Sequence, residues 1–284
     1  MRSHRYTSVV LTVVVLSQVF AQQPKNIVYR AEPRLSIGKD ASLENAILKE
    51  NLTWTFGGKG QRGWQLYEPL IAQFVRCEGS ADSEAFATSL SRWQESVNLA
   101  ATGILDQETW MKMVEVWQTC RSKERTIPVA EKLVTVSAAE FYDPERPAEL
   151  RQVERETYAA YKRMVAAASK DLGLATEANG MFAASEPYLI IISAFRSPEY
   201  QQKLRAQSPH SGRAGLAVNS PHFTGRTLDL YVGGEPVSTK DANRALQTNT
   251  KAYRWLVKNA SKFGFIPYFY EPWHWEYNPS AAQQ

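Results

Sequence analysis

Two short strings near the C-terminus limit how this chain can fold. S-P-H-F-T-G-R-T-L-D runs from Ser220 to Asp229, and E-P-W-H runs from Glu271 to His274. Together they hold two of the four histidines of the chain, each near an acidic residue. Two neutral imidazoles and one carboxylate can hold a zinc ion with its fourth position open to water, and a second carboxylate can act as general base. We therefore expect the fold to join both strings in a metallohydrolase site.

The spacing of these residues excludes one common zinc architecture. His222 and Asp229 are seven positions apart, so they are not the i, i+4 pair of an H-E-x-x-H helix. Thr227 and Asp229 alternate with the apolar Leu228, which is a strand pattern. We expect His222 to come from a loop, Asp229 from a strand and His274 from the last strand.

The C-terminal half mixes helix and strand patterns without a βαβ repeat. Apolar residues between 150 and 168 recur on one helical face, and Gly173 is expected to stop that helix. The run Y-L-I-I-I-S at 188–193 predicts a buried strand. The natural class is α+β, with a central antiparallel sheet and flanking helices over residues 133–284.

The N-terminal half predicts a small three-helix domain over residues 62–121. Its apolar residues share helical faces, and Trp93 and Trp110 are expected in the core. For Trp54 and Trp64 two roles remain open, packing in the core and stacking on sugars. The polar, glycine-containing segment 22–61 predicts a poorly ordered arm, and the charged segment 122–132 predicts a linker.

The first 21 residues have the features of a signal peptide. Arg2 and Arg5 precede an apolar run, and V-F-A offers a cleavage site before Gln22. The run is too short to span a bilayer as a helix, so we expect an exported protein of the periplasm or cell wall without a transmembrane segment in the mature chain. An uncleaved anchor is the alternative.

The net charge of the chain indicates which partners suit it, and the expected compartment decides the state of its two cysteines. Loss of Arg2 and Arg5 lowers the formal charge from +4 to +2, which gives no argument for nucleic acid but suits an anionic cell wall. In an oxidising compartment Cys77 and Cys120 are expected to form a disulfide. Two buried free thiols are the alternative.

Three motifs in the C-terminal half resemble those of the zinc D-Ala-D-Ala metallopeptidases, most closely the VanY-type carboxypeptidases. That family carries S-x-H-x-x-G-x-A-x-D, and here only its alanine is changed, to Thr227. The E-P-W-H string is also shared, and S-A-F-R-S at 193–197 followed by Tyr200-Gln201 resembles the family's S-G-Y-R-S segment. The resemblance covers about residues 133–278.

The resemblance implies a role for each matching residue. His222, Asp229 and His274 would bind Zn²⁺, and Glu271 would be the general base. Arg196 would stabilise charge on the scissile carbonyl or help to hold the peptide, and Gln201 would also bind the substrate. Ser220 would hydrogen-bond the terminal carboxylate of the substrate. His210 could be an extra ligand, although a solvated loop histidine is the simpler interpretation.

The helical domain carries a second resemblance, to the small three-helix peptidoglycan-binding domain. Trp93-Gln94, T-G-I-L-D at 102–106 and Thr109-Trp110 carry it. Both resemblances imply a zinc peptidase that acts on peptidoglycan stem peptides and contacts glycan, with removal of the terminal D-alanine as the expected reaction. An endopeptidase of the same fold and a catalytically silent wall-binding protein are the alternatives.

Overall fold

The fold is described from a computed structural model covering residues 37–177, 180, 182–183, 187–209 and 215–282. The predicted signal peptide, the first part of the predicted arm and His210 lie outside the described residues. Among the helices within these ranges, none has the length and apolar character needed to cross a membrane. The described residues fall into one compact unit.

A helix and a hairpin occupy the described part of the segment that the sequence predicts as a flexible arm. These elements are α1, Ile37–Asn51, and the paired strands β1, Thr53–Phe56, and β2, Lys59–Arg62. The buried Asn45 anchors α1, because its amide donates to Gly103 O at 2.8 Å and accepts from Leu105 N at 2.7 Å. The prediction of a poorly ordered arm is therefore wrong from residue 37 onward. Helix α1 is held by hydrogen bonds of a buried polar side chain, and the sequence of this segment has no strong apolar periodicity that would have predicted a helix.

Three further helices lie where the sequence predicts them. They are α2, Glu68–Phe74, α3, Glu84–Ser96, and α4, Gln107–Cys120. Ser83 caps α3 by accepting from Phe86 N, and Asp106 caps α4 by accepting from Thr109 N at 2.8 Å. Trp110 is fully buried in their core, as predicted. Trp54 and Trp64 are also buried, at 4% and 0% exposure, so both are core residues.

The predicted disulfide is wrong, because both cysteines are free thiols. Cys77 follows α2, and its Sγ accepts a hydrogen bond from Gly79 N at 3.3 Å within its own turn. Cys120 is the last residue of α4 and is half-buried. The expectation rested on the compartment alone, whereas a disulfide also requires the two Cβ atoms to face each other at close range.

A two-stranded ladder and a long helix open the C-terminal part. They comprise β3, Leu133–Thr135, β4, Gln152–Glu154, and α5, Arg155–Leu172. Glu154 caps α5 by accepting from Thr157 N at 2.9 Å, and Gly173 ends the helix at φ 61°. The helix buries the apolar face that its periodicity predicts, including Tyr161 and Met164.

An antiparallel sheet forms the centre of this part, with helices around it. Its strands, in the order β5-β6-β8-β7, are β5, Ile191–Ser193, β6, Thr227–Leu230, β7, Phe265–Pro267, and β8, His274–Tyr277. The remaining helices are α6, Pro198–Gln207, α7, Asp241–Thr248, α8, Lys251–Asn259, and α9, Pro279–Ala282. This arrangement confirms the α+β class. The register sets Asp229 opposite His274 across β6 and β8.

An aromatic cluster joins the helices of the N-terminal half to the end of the sheet. Phe269, between β7 and β8, lies 5.5 Å from Tyr67 and 5.6 Å from Trp117 between ring centroids, and Trp54 and Trp110 lie 5.0 Å apart in the same cluster. Buried aromatic side chains contribute large apolar areas to a core. The two halves therefore share part of one core.

Candidate metal centre

The two sequence strings meet in the fold. His222 lies on the 3-10 helix Pro221–Thr224, Asp229 is in β6, and His274 opens β8. All three side chains are buried, and one ligand atom from each lies within 4.8 Å of the others. The loop-and-strand origin that the spacing predicts is confirmed.

A tight turn presents His222 to the strands. Ser220 begins the turn by accepting from His222 N at 3.3 Å, and Gly225 ends it at φ 67° while its N–H donates to His222 O at 3.1 Å. A Cβ at Gly225 would lie 3.1 Å from Glu154 N. Only glycine meets both the backbone angle and the close approach without strain.

We expect Gly225→Ala to weaken metal binding and lower stability. Alanine in the left-handed region costs about 1–2 kcal/mol, and the crowding against Glu154 would shift the turn that carries His222. Gly58→Ala is the matched control, since Gly58 has φ 82° and no described atom would lie within 4 Å of its Cβ. Both variants should unfold at lower urea concentration, but only Gly225→Ala should lose zinc affinity in competition with a chromophoric chelator. Equal zinc affinities would contradict the assigned role of the turn.

The donor set fits a zinc ion. The Nδ1 atom of His222 bonds Ala194 O at 2.7 Å, which leaves Nε2 facing Asp229 Oδ1 at 3.3 Å. The Nδ1 atom of His274 lies 3.0 Å from the same Oδ1, and its Nε2 lies 3.3 Å from Glu276 Oε1. Each imidazole thus has one nitrogen held by the protein and the other turned towards Asp229, the usual arrangement of metal-ligating histidines.

Burial and charge set the protonation of the three groups. Burial and Arg196 lower the pKa of His222 to about 4, so its imidazole is neutral at pH 7. Burial disfavours the His274 cation, but hydrogen bonds to Asp229 and Glu276 outweigh it and raise the pKa to about 9. Burial would raise the pKa of Asp229, but His222 and Arg196 hold it well below its usual range. A metal ion would have to displace a proton from His274.

Glu271 lies at the edge of the cluster. Its Oε2 is 3.7 Å from His274 Nδ1, and its side chain is nearly buried. Burial raises the pKa of Glu271 to about 7, although the neighbouring His274 opposes the shift. A carboxyl group with a pKa near neutrality suits a general base.

Arg196 is built into the centre. Its Nη2 donates to Asp229 Oδ2 at 2.5 Å, its Nε to Ser193 Oγ at 2.9 Å, and its Nη1 to Gln201 Oε1 at 3.4 Å. Gln201 is 1% exposed, and its Nε2 donates to Ala217 O at 2.8 Å. Gln201 therefore holds Arg196 and the backbone at Ala217 in place. Both ends of its amide are used in these contacts, which gives no support to the predicted direct contact with substrate.

A cavity of about 450 Å³ opens beside the cluster. Glu271, Ser220 and Trp273 line it together with the predicted ligands, and three arginines reach it, Arg196, Arg121 and Arg146. Three residues at this cavity or beside the cluster were not predicted from the sequence: Arg121, Arg146 and Glu276. Glu276 could have been found, because it follows His274 by two positions in a strand and so shares its face. Arg121 carries no local signal, since only the tertiary fold brings it here.

A family model matches the part of the chain that holds His222, Asp229 and His274. Residues 150–280 match the family model described as VanY, D-alanyl-D-alanine carboxypeptidase. Comparison with curated proteins gives no match. One similar solved structure is the LdcB LD-carboxypeptidase, described as revealing the basis of peptidoglycan recognition, with 25% identity, a TM-score of 0.39, and coverage of 56% of this chain and 72% of that one. Another is a mutant of the vancomycin resistance D,D-pentapeptidase VanY from a VanB-type cassette, in complex with Zn(II), with 22% identity, a TM-score of 0.34, and coverage of 57% and 85%.

Proposed function

We propose that this chain is a zinc peptidase that removes the terminal D-alanine from peptidoglycan stem peptides, in line with the match of residues 150–280 to the family model described as VanY, D-alanyl-D-alanine carboxypeptidase. The observation that carries the proposal is the buried set of His222, Asp229 and His274, whose ligand atoms lie within 4.8 Å of one another. These three residues would hold the Zn²⁺ ion.

In this proposal the metal ion would activate water and the carbonyl, and protein side chains would transfer the proton and stabilise charge. When bound, zinc polarises a carbonyl and brings the pKa of a water molecule to about 7. Glu271 accepts the proton of the attacking water and passes it to the leaving amine, which its position 3.7 Å from His274 and its raised pKa support. Arg196 stabilises negative charge that develops on the scissile carbonyl.

The charge of the cavity favours an anionic peptide end. Arg121 and Arg196 are paired with Glu276 and Asp229. Arg146 also reaches the cavity, and its described contacts are with the neutral Ile192 O and Tyr200 Oη, so its cation could pair with a terminal carboxylate. Ser220 lines the same cavity and would hydrogen-bond that carboxylate. In this proposal the substrate is a stem peptide that ends in free D-Ala-D-Ala.

The rest of the chain supports action at the cell wall. Residues 1–21 would direct export to the periplasm or cell wall, and the helical domain at 62–121 would bind glycan. These roles rest on the sequence patterns of each segment.

Mass spectrometry of a defined muropeptide tests the proposal. We expect loss of one D-alanine from a D-Ala-D-Ala pentapeptide, loss of activity after zinc is chelated, and recovery when zinc is added back. Amidation of the terminal carboxylate should lower kcat/KM by about tenfold or more, since an unpaired polar group in the site costs roughly 1–3 kcal/mol. Internal cleavage, or an amide cleaved as fast as the acid, would favour an endopeptidase, and a chain that binds no zinc and leaves the peptide intact would favour a silent wall-binding protein.

A further inference from the structure

Arg121, at the C-terminal end of α4, reaches from the helical half of the chain to the last strand of the sheet. Its Nε and Nη2 donate to Glu276 Oε1 at 2.7 and 2.5 Å. The backbone N–H of Ser122 donates to Glu276 Oε2 at 3.2 Å. The Glu276 side chain is 2% exposed and that of Arg121 is 18% exposed, so water weakens these charge-assisted bonds little. The end of α4 thus fixes both carboxylate oxygens of Glu276.

Glu276, held in this way, contacts the proposed metal ligand His274. Its Oε1, which accepts both bonds from Arg121, lies 3.3 Å from His274 Nε2. The opposite ring nitrogen, Nδ1, lies 3.0 Å from Asp229 Oδ1. The ring of His274 is therefore held at both ends. A carboxylate on the outer nitrogen of a ligating histidine fixes its tautomer and orientation, and loss of such a partner typically weakens metal binding by about 10- to 100-fold.

Arg121 also lies against the segment that carries the proposed base. Its guanidinium carbon is 3.9 Å from the centroid of the Tyr268 ring, within the range of a cation–π contact. The backbone of Tyr268 donates to His274 O at 3.0 Å and accepts from Glu271 N at 3.1 Å. One arginine from the helical half therefore supports both the strand of His274 and the turn of Glu271.

We propose that Arg121 is a positioning residue of the metal centre, which acts by fixing Glu276 against His274. The helical half of the chain then completes the zinc site, in addition to any role in binding the cell wall. This inference rests on the zinc site of the proposed function.

Zinc affinity and the cobalt spectrum of full-length variants test the role of Arg121. Arg121→Met keeps the aliphatic part of the side chain but removes the donors, and Arg121→Lys restores the charge with a single ammonium. Lys112→Met is the matched control, because Lys112 lies on the same helix and pairs with Glu115 at 2.9 Å away from the centre. Each protein is titrated with zinc against a chromophoric chelator, substituted with Co²⁺ for visible absorption, and checked for folding by circular dichroism.

The expected zinc Kd is about 10- to 100-fold higher for Arg121→Met, with an altered cobalt spectrum. Arg121→Lys should recover part of the affinity, and Lys112→Met should match the wild type. A folded Arg121→Met with unchanged Kd and spectrum would overturn the inference, and so would an Arg121→Lys that binds no better than Arg121→Met. If Arg121→Met does not fold, Arg121→Gln, which keeps a neutral donor, takes its place under the same criteria. A wild-type chain that binds neither metal would overturn the proposed function as well, whereas tight wild-type binding with an unaffected variant removes this inference alone.

Discussion

Glu271→Gln should lower kcat by about 10²- to 10⁴-fold and leave about one zinc ion per chain. The amide keeps the shape of the side chain but cannot accept a proton, and Glu271 is not among the three clustered ligands. Protonation of the wild-type carboxyl has the same consequence, so its activity should fall as the pH drops below the pKa of Glu271. That pKa is about 7 without a metal ion, and a bound cation would lower it. The activity of the wild type should therefore begin to fall at a pH below 7, and the residual activity of Glu271→Gln should not show this fall.

Glu115→Gln is the matched control for this variant. The Glu115 side chain is 65% exposed on α4, and the contact described for it is the ion pair with Lys112 on the same helix. The control should keep wild-type turnover and zinc content. If Glu271→Gln retained full activity, a different group would have to accept the proton. If it lost its zinc, Glu271 would be a ligand and not a base.

The centre was predictable from sequence because its residues lie in short strings. The period-two pattern around Asp229 predicts a strand, and the turn residues near Gly225 predict a loop that carries His222. Each conclusion depends on neighbours along the chain. The contact of Arg121 with Glu276 spans 155 positions and depends on how α4 packs beside β8, so no local pattern could indicate it.

The difference between local patterns and distant contacts also explains which features of the fold could not be predicted from the sequence. Helix α1 was missed because its anchor is polar, with Asn45 bonded to Gly103 and Leu105 some 60 positions away. The helical spacing also predicts a domain over residues 62–121, which stays a prediction, and it indicates none of the contacts of that segment with the sheet. The structure packs Phe269 among Tyr67 and Trp117, and such aromatic contacts between distant segments cannot be read from periodicity, because periodicity marks which face is buried but not its partner.

Asp229→Ala should abolish zinc binding and also destabilise the metal-free protein by about 3–5 kcal/mol. The variant removes a proposed ligand and leaves Arg196, whose side chain is 10% exposed, without the carboxylate that it contacts at 2.5 Å. A buried charge that loses its partner keeps the full cost of leaving water. Urea unfolding in the presence of a chelator measures this cost without the contribution of the metal ion.

The double variant Arg196→Met/Asp229→Ala separates the charge from the cavity. Both variants lack the Asp229 carboxylate and so share the same loss of volume at position 229, but only the single variant keeps an unpaired guanidinium. We expect the double variant to regain much of the lost stability while still binding no zinc. Arg196→Met alone should cost less than Asp229→Ala, because Asp229 keeps contacts of 3.3 and 3.0 Å with His222 and His274. Equal unfolding midpoints for Asp229→Ala and the double variant would show that water reaches Arg196 once Asp229 is gone. The Arg196–Asp229 pair would then serve the metal centre, by orienting the ligand, and contribute little to holding the fold.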